Sequence, residues 1–462
     1  MPTRTPTPKK ERYVGKHYDI IIIGTGSGNS IPGPEFDDKS IAIIEKGTFG
    51  GTCLNVGCIP TKMYVYAADI ARTIEESGRY GIKGQFEGVD WASISQRVFT
   101  DRIDQIAAGG EAYRRGPETP NIDVYDQHAR FIGPKTIRTG SEEITGDTII
   151  IAAGSRPQIP AAIAESGARY YTNEDIMRIP SLPKRMTIVG AGFIACEFAH
   201  VFSSLGVTVT QLVRSDRMLR GLDDDIASAF QRAAETQWDV RYEVEVTAAT
   251  DTGVTLSDGT ELEHDILLVA TGRIPNGDQM DLHLGGIDMA EGSIKVDEYG
   301  RTTADGVWAL GDVSSPYLLK HVANAEMRTV RHNILHPDDL RPMPHDHVPA
   351  AVFTHPQIAY VGLTEKEARE SYDVTVKVQK YGDVAYGWAM EDTTNFAKLI
   401  ADKNTGRLLG AHIIGPQAST LIQQLITVMA FDLDCRDVAT KQYWIHPALP
   451  ELIENALLGL EF

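Results

Sequence analysis

Cys53 and Cys58 stand five residues apart in Gly50-Gly51-Thr52-Cys53-Leu54-Asn55-Val56-Gly57-Cys58-Ile59-Pro60. A disulfide between them closes a tiny loop, worth at most about 2–3 kcal/mol in the chain-entropy model. Short-loop, strained disulfides are the reducible ones. The pair therefore points to thiol–disulfide redox chemistry rather than to a structural crosslink. Half of a zinc site is the competing reading. Zinc needs four ligands, commonly from two close pairs. Cys196 falls mid-helix and Cys435 stands alone, so no second pair exists and no metal is expected. These two read as small buried residues.

The elements that must position such a pair are legible in the same way. Tyr18 to Ile23 is an apolar run without alternation, the mark of a strand buried on both faces of a parallel sheet. It runs into Gly24-Thr25-Gly26-Ser27-Gly28-Asn29. A second apolar run, Ile41 to Ile44, ends at Glu45, about 20 residues beyond the glycines, where a ribose-binding carboxylate belongs. The pattern recurs at Met186 to Val189, followed by Gly190-Ala191-Gly192-Phe193-Ile194-Ala195, a helix pattern through Phe202 and a strand from Val207 to Val213. One glycine fingerprint is weak evidence; two strand–turn–helix–strand copies imply two dinucleotide sites. Returning strands are expected at Thr148 to Gly154, Asp265 to Arg273 and Gly306 to Leu310. Each stops at small residues that permit close approach of a cofactor. From about Val348 the texture changes to alternating strand-like runs such as Lys398-Leu399-Ile400, then a helix pattern from Ala418 to Phe431.

Composition bounds the rest. The chain has 462 residues, too many for one core, with 42% hydrophobic and 23% charged residues, as in ordinary globular proteins. A formal net charge of -19 argues against a nucleic-acid partner. No apolar run is long enough to span a membrane. Residues 1–17 lack the apolar centre of a secretory signal and read as a disordered tail. Four cysteines do not make a disulfide scaffold, so a cytoplasmic location is expected.

The cysteine segment with its flanks, the Ala270-Thr271-Gly272-Arg273 segment, Gly311-Asp312 and the C-terminal His446-Pro447 together resemble the flavoprotein disulfide reductases, which include glutathione reductase, lipoamide dehydrogenase and mercuric reductase. The resemblance runs over roughly Tyr18 to Leu460. It implies an α/β fold: two Rossmann-like dinucleotide-binding domains, for FAD and NADPH, plus a C-terminal α+β dimerisation domain. The expected divisions are 18–156 with 282–346 for FAD, 157–281 for NADPH, and 347–462 for the interface.

The resemblance also assigns residues. FAD is expected on Gly24, Gly26, Gly28, Glu45, Gly51, Thr52, Ala129, Ala153, Gly154, Gly311 and Asp312. Asn29 replaces the small residue usual there, and Pro32 and Pro34 break the following helix, so a short or distorted first helix is expected. The nicotinamide cofactor is expected on Gly190, Gly192, Ala195, Gly272 and Arg273. NAD enzymes place an acid at the end of the next strand; here Arg214 stands in that place and Arg220 follows. Guanidinium groups chelate phosphate, so the reading is NADPH. Cys58 is expected to face the flavin and Cys53 the substrate. Lys62, one helical turn beyond Cys58, is expected to pair with Glu197. His446 with Glu451 resembles the family's acid dyad, acting in the second copy of a homodimer. The implied activity is NADPH-driven reduction of a low-molecular-weight disulfide. Lipoamide dehydrogenase with NAD is the alternative within the family. A non-catalytic flavoprotein is the alternative outside it, and would need neither cysteine nor His446. The tail Leu457 to Phe462 lacks the extra cysteine pair of mercuric reductases.

Overall fold

The computed structural model describes residues 15–462. Residues 1–14 of the expected tail lie outside the described residues, whereas its last residue, His17, opens strand β1 (His17–Ile23). Contacts group the described residues into two units: those up to Gly51, 106–156 and 275–344 in one, 52–105, 157–274 and 345–462 in the other.

The first unit is built on a seven-stranded sheet. β1 pairs in parallel with β2 (Ile41–Ile44) and with β6 (Glu142–Ile151); β2 pairs in parallel with β3 (Ile122–Tyr125). β4 (Ala129–Gly133) and β5 (Thr136–Thr139) extend it antiparallel from β6, and Val307–Ala309 pairs in parallel with β6. Side chains alternate across a strand. Accordingly Ile21, Ile23, Ala42, Ile44 and Ile149 enter the core on one face, and Ile20, Ile22, Ile41, Ile43 and Ile150 that on the other. Both faces being dry explains the unbroken apolar runs. The segments after β1, β2, β6 and Val307–Ala309 begin with Gly24, Glu45, Ala152 and Leu310. Carboxyl ends of parallel strands are where such sheets bind ligands.

The second unit holds three sheets. A four-stranded parallel sheet has the order Asp239–Arg241, Thr208–Leu212, Arg185–Val189, Ile266–Val269. A three-stranded antiparallel sheet spans Val246–Thr250, Gly253–Leu256 and Glu261–Glu263. A five-stranded antiparallel sheet runs Ala350–Val352, Ile358–Gly362, Leu408–Ile414, Phe396–Asp402, Val374–Lys380. The expected alternation around Lys398 is absent: Phe396–Asp402 is central and buried almost throughout. Lys398 itself is 3% exposed, with its ammonium 2.8, 2.6 and 2.7 Å from Asp223, Asp225 and Glu365. A buried charge is tolerated when paired and hydrogen-bonded in this way.

Helix α1 (Gly51–Asn55) and helix α2 (Cys58–Glu76) carry the cysteine segment. α2 starts at Cys58 itself, with Pro60 in its first turn. Its flank is fixed by Tyr64, which stacks on Trp91 at 4.8 Å and donates through its hydroxyl to Met177 O at 2.8 Å. α2 packs on the helix Phe193–Ser204, their apolar faces sharing one core.

Candidate active site

Cys53 and Cys58 are side by side as thiols, linked by a hydrogen bond. Cys58 is exposed and Cys53 half-buried. The Cys53 hydrogen bond pulls the Cys58 pKa from 9.0 down to about 7; burial opposes this and the Lys62 ammonium assists it. Helix N-termini favour thiolates in the same sense. Cys58 and Lys62 lie four residues apart in α2, on one face. Lys62 Nζ lies 2.6 Å from Glu197 Oε2. Glu197, on the helix Phe193–Ser204, is 3% exposed, and its Oε1 accepts from the Phe353 N–H at 3.0 Å. The Phe353 ring lies 4.7 Å from the same ammonium. Sequence reasoning did not single out Phe353; neither periodicity nor motif marks it. The cation is thus held from three elements, by carboxylate, ring and helix. Breaking such a pair leaves an uncompensated buried carboxylate, at a cost of about 3–5 kcal/mol.

His446 Nδ1 lies 2.6 Å from Glu451 Oε1, whose other oxygen accepts from the Ala448 N–H at 3.1 Å. The His446 bond holds the Glu451 carboxyl below the usual range. The carboxylate fixes the ring, and the histidine side chain is 70% exposed. The imidazole is therefore open to solvent on the side away from Glu451. The neighbouring Tyr443 and Ile445 side chains are exposed too.

Gly24 has φ +102°, and a Cβ there would stand 2.3 Å from Ala152 O. Gly28 is close-packed on Ala152 and Ile22. Gly26 and Gly154 open to free space, the former with only Gly51 Cα at 4.0 Å. Two glycines thus shape the loop and two leave bare backbone for a ligand. Glu45 Oε2 accepts from Thr25 N and Oγ1 at 3.0 and 2.7 Å, and Oε1 from Gly47 N at 2.9 Å. Gly311 N donates to buried Glu326, and Asp312 accepts from Ser155 Oγ at 2.6 Å. These donors, acceptors and open glycines fit FAD: a bare-backbone turn for the diphosphate and carboxylates for hydroxyls. Thr52 is exposed on α1, while the Ala129 side chain is buried in the core at the start of β4. The expected distortion after this loop is present. Only the 3-10 turns Gly28–Ser30 and Pro34–Phe36 follow it. Thr25 and Ser27 of the glycine motif also line or brace this region, as do Arg114, Ser155, Lys320 and Glu326, which carried no motif.

The second loop is more regular. Gly190 has φ +142°, and a Cβ there would lie 2.2 Å from Ala270 O. Gly192 has nothing within 4 Å of its added Cβ and precedes the helix Phe193–Ser204, which has no side-chain cap and no acid in its first turn. Its open N–H groups and dipole suit a diphosphate. Ala195 is fully buried. Arg214 is 74% exposed, with Glu245 at 3.7 Å. Arg220 is exposed and has no carboxylate partner among the described residues, whereas Arg217 is occupied by Asp224 at 2.5 Å. Gly272 bends the following segment, and Arg273 donates to Asn173 at 3.2 Å; Asn173 in turn donates to Val56 O in the cysteine loop.

Among the described residues no cluster of metal-ligating side chains occurs, and no helix is long and apolar enough to cross a membrane. The sequence profile of the pyridine nucleotide-disulphide oxidoreductases matches residues 18–329, and that of their dimerisation domain residues 348–457. The chain is 56% identical over 458 residues to the mycothione reductase of Mycobacterium tuberculosis, covering 96% of this chain and 99% of that one. It is 32% identical to a glutathione reductase of Burkholderia cepacia, covering 94% and 97%. The solved Cu(II) complex of the HOCl-induced flavoprotein disulfide reductase RclA from Escherichia coli superposes with a TM-score of 0.85 at 28% identity, over 96% of this chain and 99% of that chain. With its fold, its paired thiols and its two glycine loops, the chain belongs to the pyridine nucleotide-disulphide oxidoreductases, enzymes that use FAD and NAD(P)H.

Proposed function

We propose that this enzyme uses NADPH to reduce mycothione to mycothiol. The carrying observation is the exposed Cys58 thiol, hydrogen-bonded to Cys53 and shifted to about 7 one turn from the Lys62–Glu197 pair. The 56% identity over nearly the whole chain supports the choice of substrate. Bound FAD supplies two-electron transfer between the nicotinamide and the cysteine pair.

The chain's own residues do the rest. The Cys53 thiolate attacks one sulfur of the substrate disulfide, and His446 protonates the departing thiolate. Cys58 then attacks Cys53 Sγ, which releases the second thiolate and leaves a Cys53–Cys58 disulfide. Two electrons from NADPH reopen that disulfide, so one NADPH and one proton yield two thiols. Glu451 orients His446. Lys62, held by Glu197, stabilises the Cys58 thiolate.

The exposed His446 and the match to the dimerisation domain support a homodimer in which each copy lends this acid to the other. The functional division is 18–156 with 282–346 for FAD, 157–281 for NADPH and 347–462 for the interface, in a cytoplasmic protein.

Arg214 and Arg220 support NADPH. The lean of Arg214 on Glu245 is the one feature favouring NADH and, with it, lipoamide as substrate. Steady-state assays with mycothione, oxidised glutathione and lipoamide, each with NADPH and with NADH, decide between them. The expected preference is mycothione with NADPH. Lipoamide with NADH as the best pair would overturn the assignment.

A further inference from the structure

A dinucleotide diphosphate normally meets the N-terminus of a helix, with its aligned N–H groups and dipole. The first glycine loop has no such helix. Pro32 and Pro34 lack N–H groups, and only the three-residue turn Gly28–Ser30 directly follows the loop. In a continuing helix the N–H of residue 33 would bond the Asn29 carbonyl. Arg114 takes that acceptor instead: Nη2 donates to Asn29 O at 2.7 Å and Nε to Asn29 Oδ1 at 2.9 Å.

Arg114 is 8% exposed and, among the described residues, no carboxylate pairs with it; the Tyr113 ring lies 5.4 Å from its guanidinium. A buried guanidinium with only neutral partners is costly until an anion arrives. A second cation meets the loop one residue before Gly28. Lys320, the first residue of the helix Lys320–Leu335, donates from Nζ to Ser27 Oγ at 2.9 Å, and Ser27 donates on to Asn324 Oδ1 at 3.0 Å. Lys320 also has no carboxylate partner among the described residues. Two uncompensated cations thus hold the two residues that flank Gly28.

We propose that Lys320 and Arg114 replace the missing helix in binding the diphosphate of the flavin dinucleotide. Lys320 supplies charge directly. Arg114 is a positioning residue that fixes Asn29 and hence the loop. The proposal rests on the reading that this loop takes FAD.

The test is release of FAD from purified holoenzyme on dilution, followed by flavin fluorescence in low and high KCl. Lys320→Met should release FAD at least about tenfold more readily in low salt, and the gap should narrow in high salt as the wild-type attraction is screened. Arg114→Met should loosen FAD similarly at both salts. Arg114→Lys should fall between Arg114→Met and wild type, because lysine keeps the charge but not the fork. Wild-type release from Lys320→Met, or a gap indifferent to salt, overturns the role of Lys320. Wild-type release from Arg114→Lys overturns that of Arg114, even if Arg114→Met fails to fold. A wild-type preparation that carries no FAD would instead overturn the underlying reading.

Discussion

The two glycine loops begin alike and end differently. Each follows a buried parallel strand, and each opens with a glycine whose Cβ would strike a carbonyl, at 2.3 Å for Gly24 and 2.2 Å for Gly190. After the second loop a twelve-residue helix starts at once; after the first there are only 3-10 turns. The turn geometry is therefore the shared requirement, and the helix is one of two ways to supply positive potential. Where the helix survives, Arg214 and Arg220, the cations proposed to select NADPH, lie exposed beyond the next strand. Where it is lost, cations close on the loop itself.

The hardest blow to this comparison is a methyl group at each opening glycine. Gly24→Ala should give protein without bound FAD. Gly190→Ala should keep FAD but raise the KM for NADPH by up to about a hundredfold, since overpacking a rigid turn costs about 1–3 kcal/mol. Bound-flavin absorbance and anaerobic bleaching by NADPH check both. FAD retained in full by Gly24→Ala would break the parallel.

The next effect concerns selectivity. Replacing Arg214 and Arg220 together by alanine should raise the KM for NADPH about ten- to hundredfold, the worth of charge-assisted bonds to one phosphate, and leave NADH nearly untouched. Equal loss with both cofactors would show that the arginines serve the fold rather than the phosphate.

The thiols provide an internal reference that neither loop should disturb. Because the Cys58 pKa is lowered to about 7, alkylation of the reduced enzyme should accelerate as pH rises and level off above about 7. The depressed value also means that the thiolate favours the folded state at high pH, and that this contribution fades as pH falls through about 7. Lys62→Met removes a charge that lowers this value, so the midpoint should move upward. A midpoint that stays in place would assign the shift to Cys53 alone. The smallest effect is that of Asn29→Ala. It deletes one of the two Arg114 bonds and should cost about 1 kcal/mol in holoenzyme melting, with the main-chain bond remaining.

Much of this arrangement was legible before any coordinates. The two loops announced themselves through glycine spacing after apolar runs, and Pro32 and Pro34 announced a short or distorted helix where the structure has only 3-10 turns. The cysteine spacing announced redox chemistry. The Lys62–Glu197 and His446–Glu451 contacts were expected from the family resemblance, and both pairs meet at 2.6 Å. What the sequence hid were single groups reaching from distant segments: the Arg114 side chain to Asn29, the Lys320 side chain to Ser27, and the Phe353 main chain to Glu197. None has a periodicity or motif, because each is set by tertiary packing. The strand around Lys398 misled for a related reason. A lysine normally marks a wet face, but three carboxylates brought in by folding make a dry one tolerable.

In the proposed reaction electrons leave through Cys53 and Cys58, and Cys53→Ser tests this most directly. Bleaching of the bound flavin by NADPH and turnover with mycothione should be measured on the same preparation. The expected result is flavin reduction at the wild-type rate with mycothione turnover abolished; mycothione turnover at the wild-type rate would contradict the account.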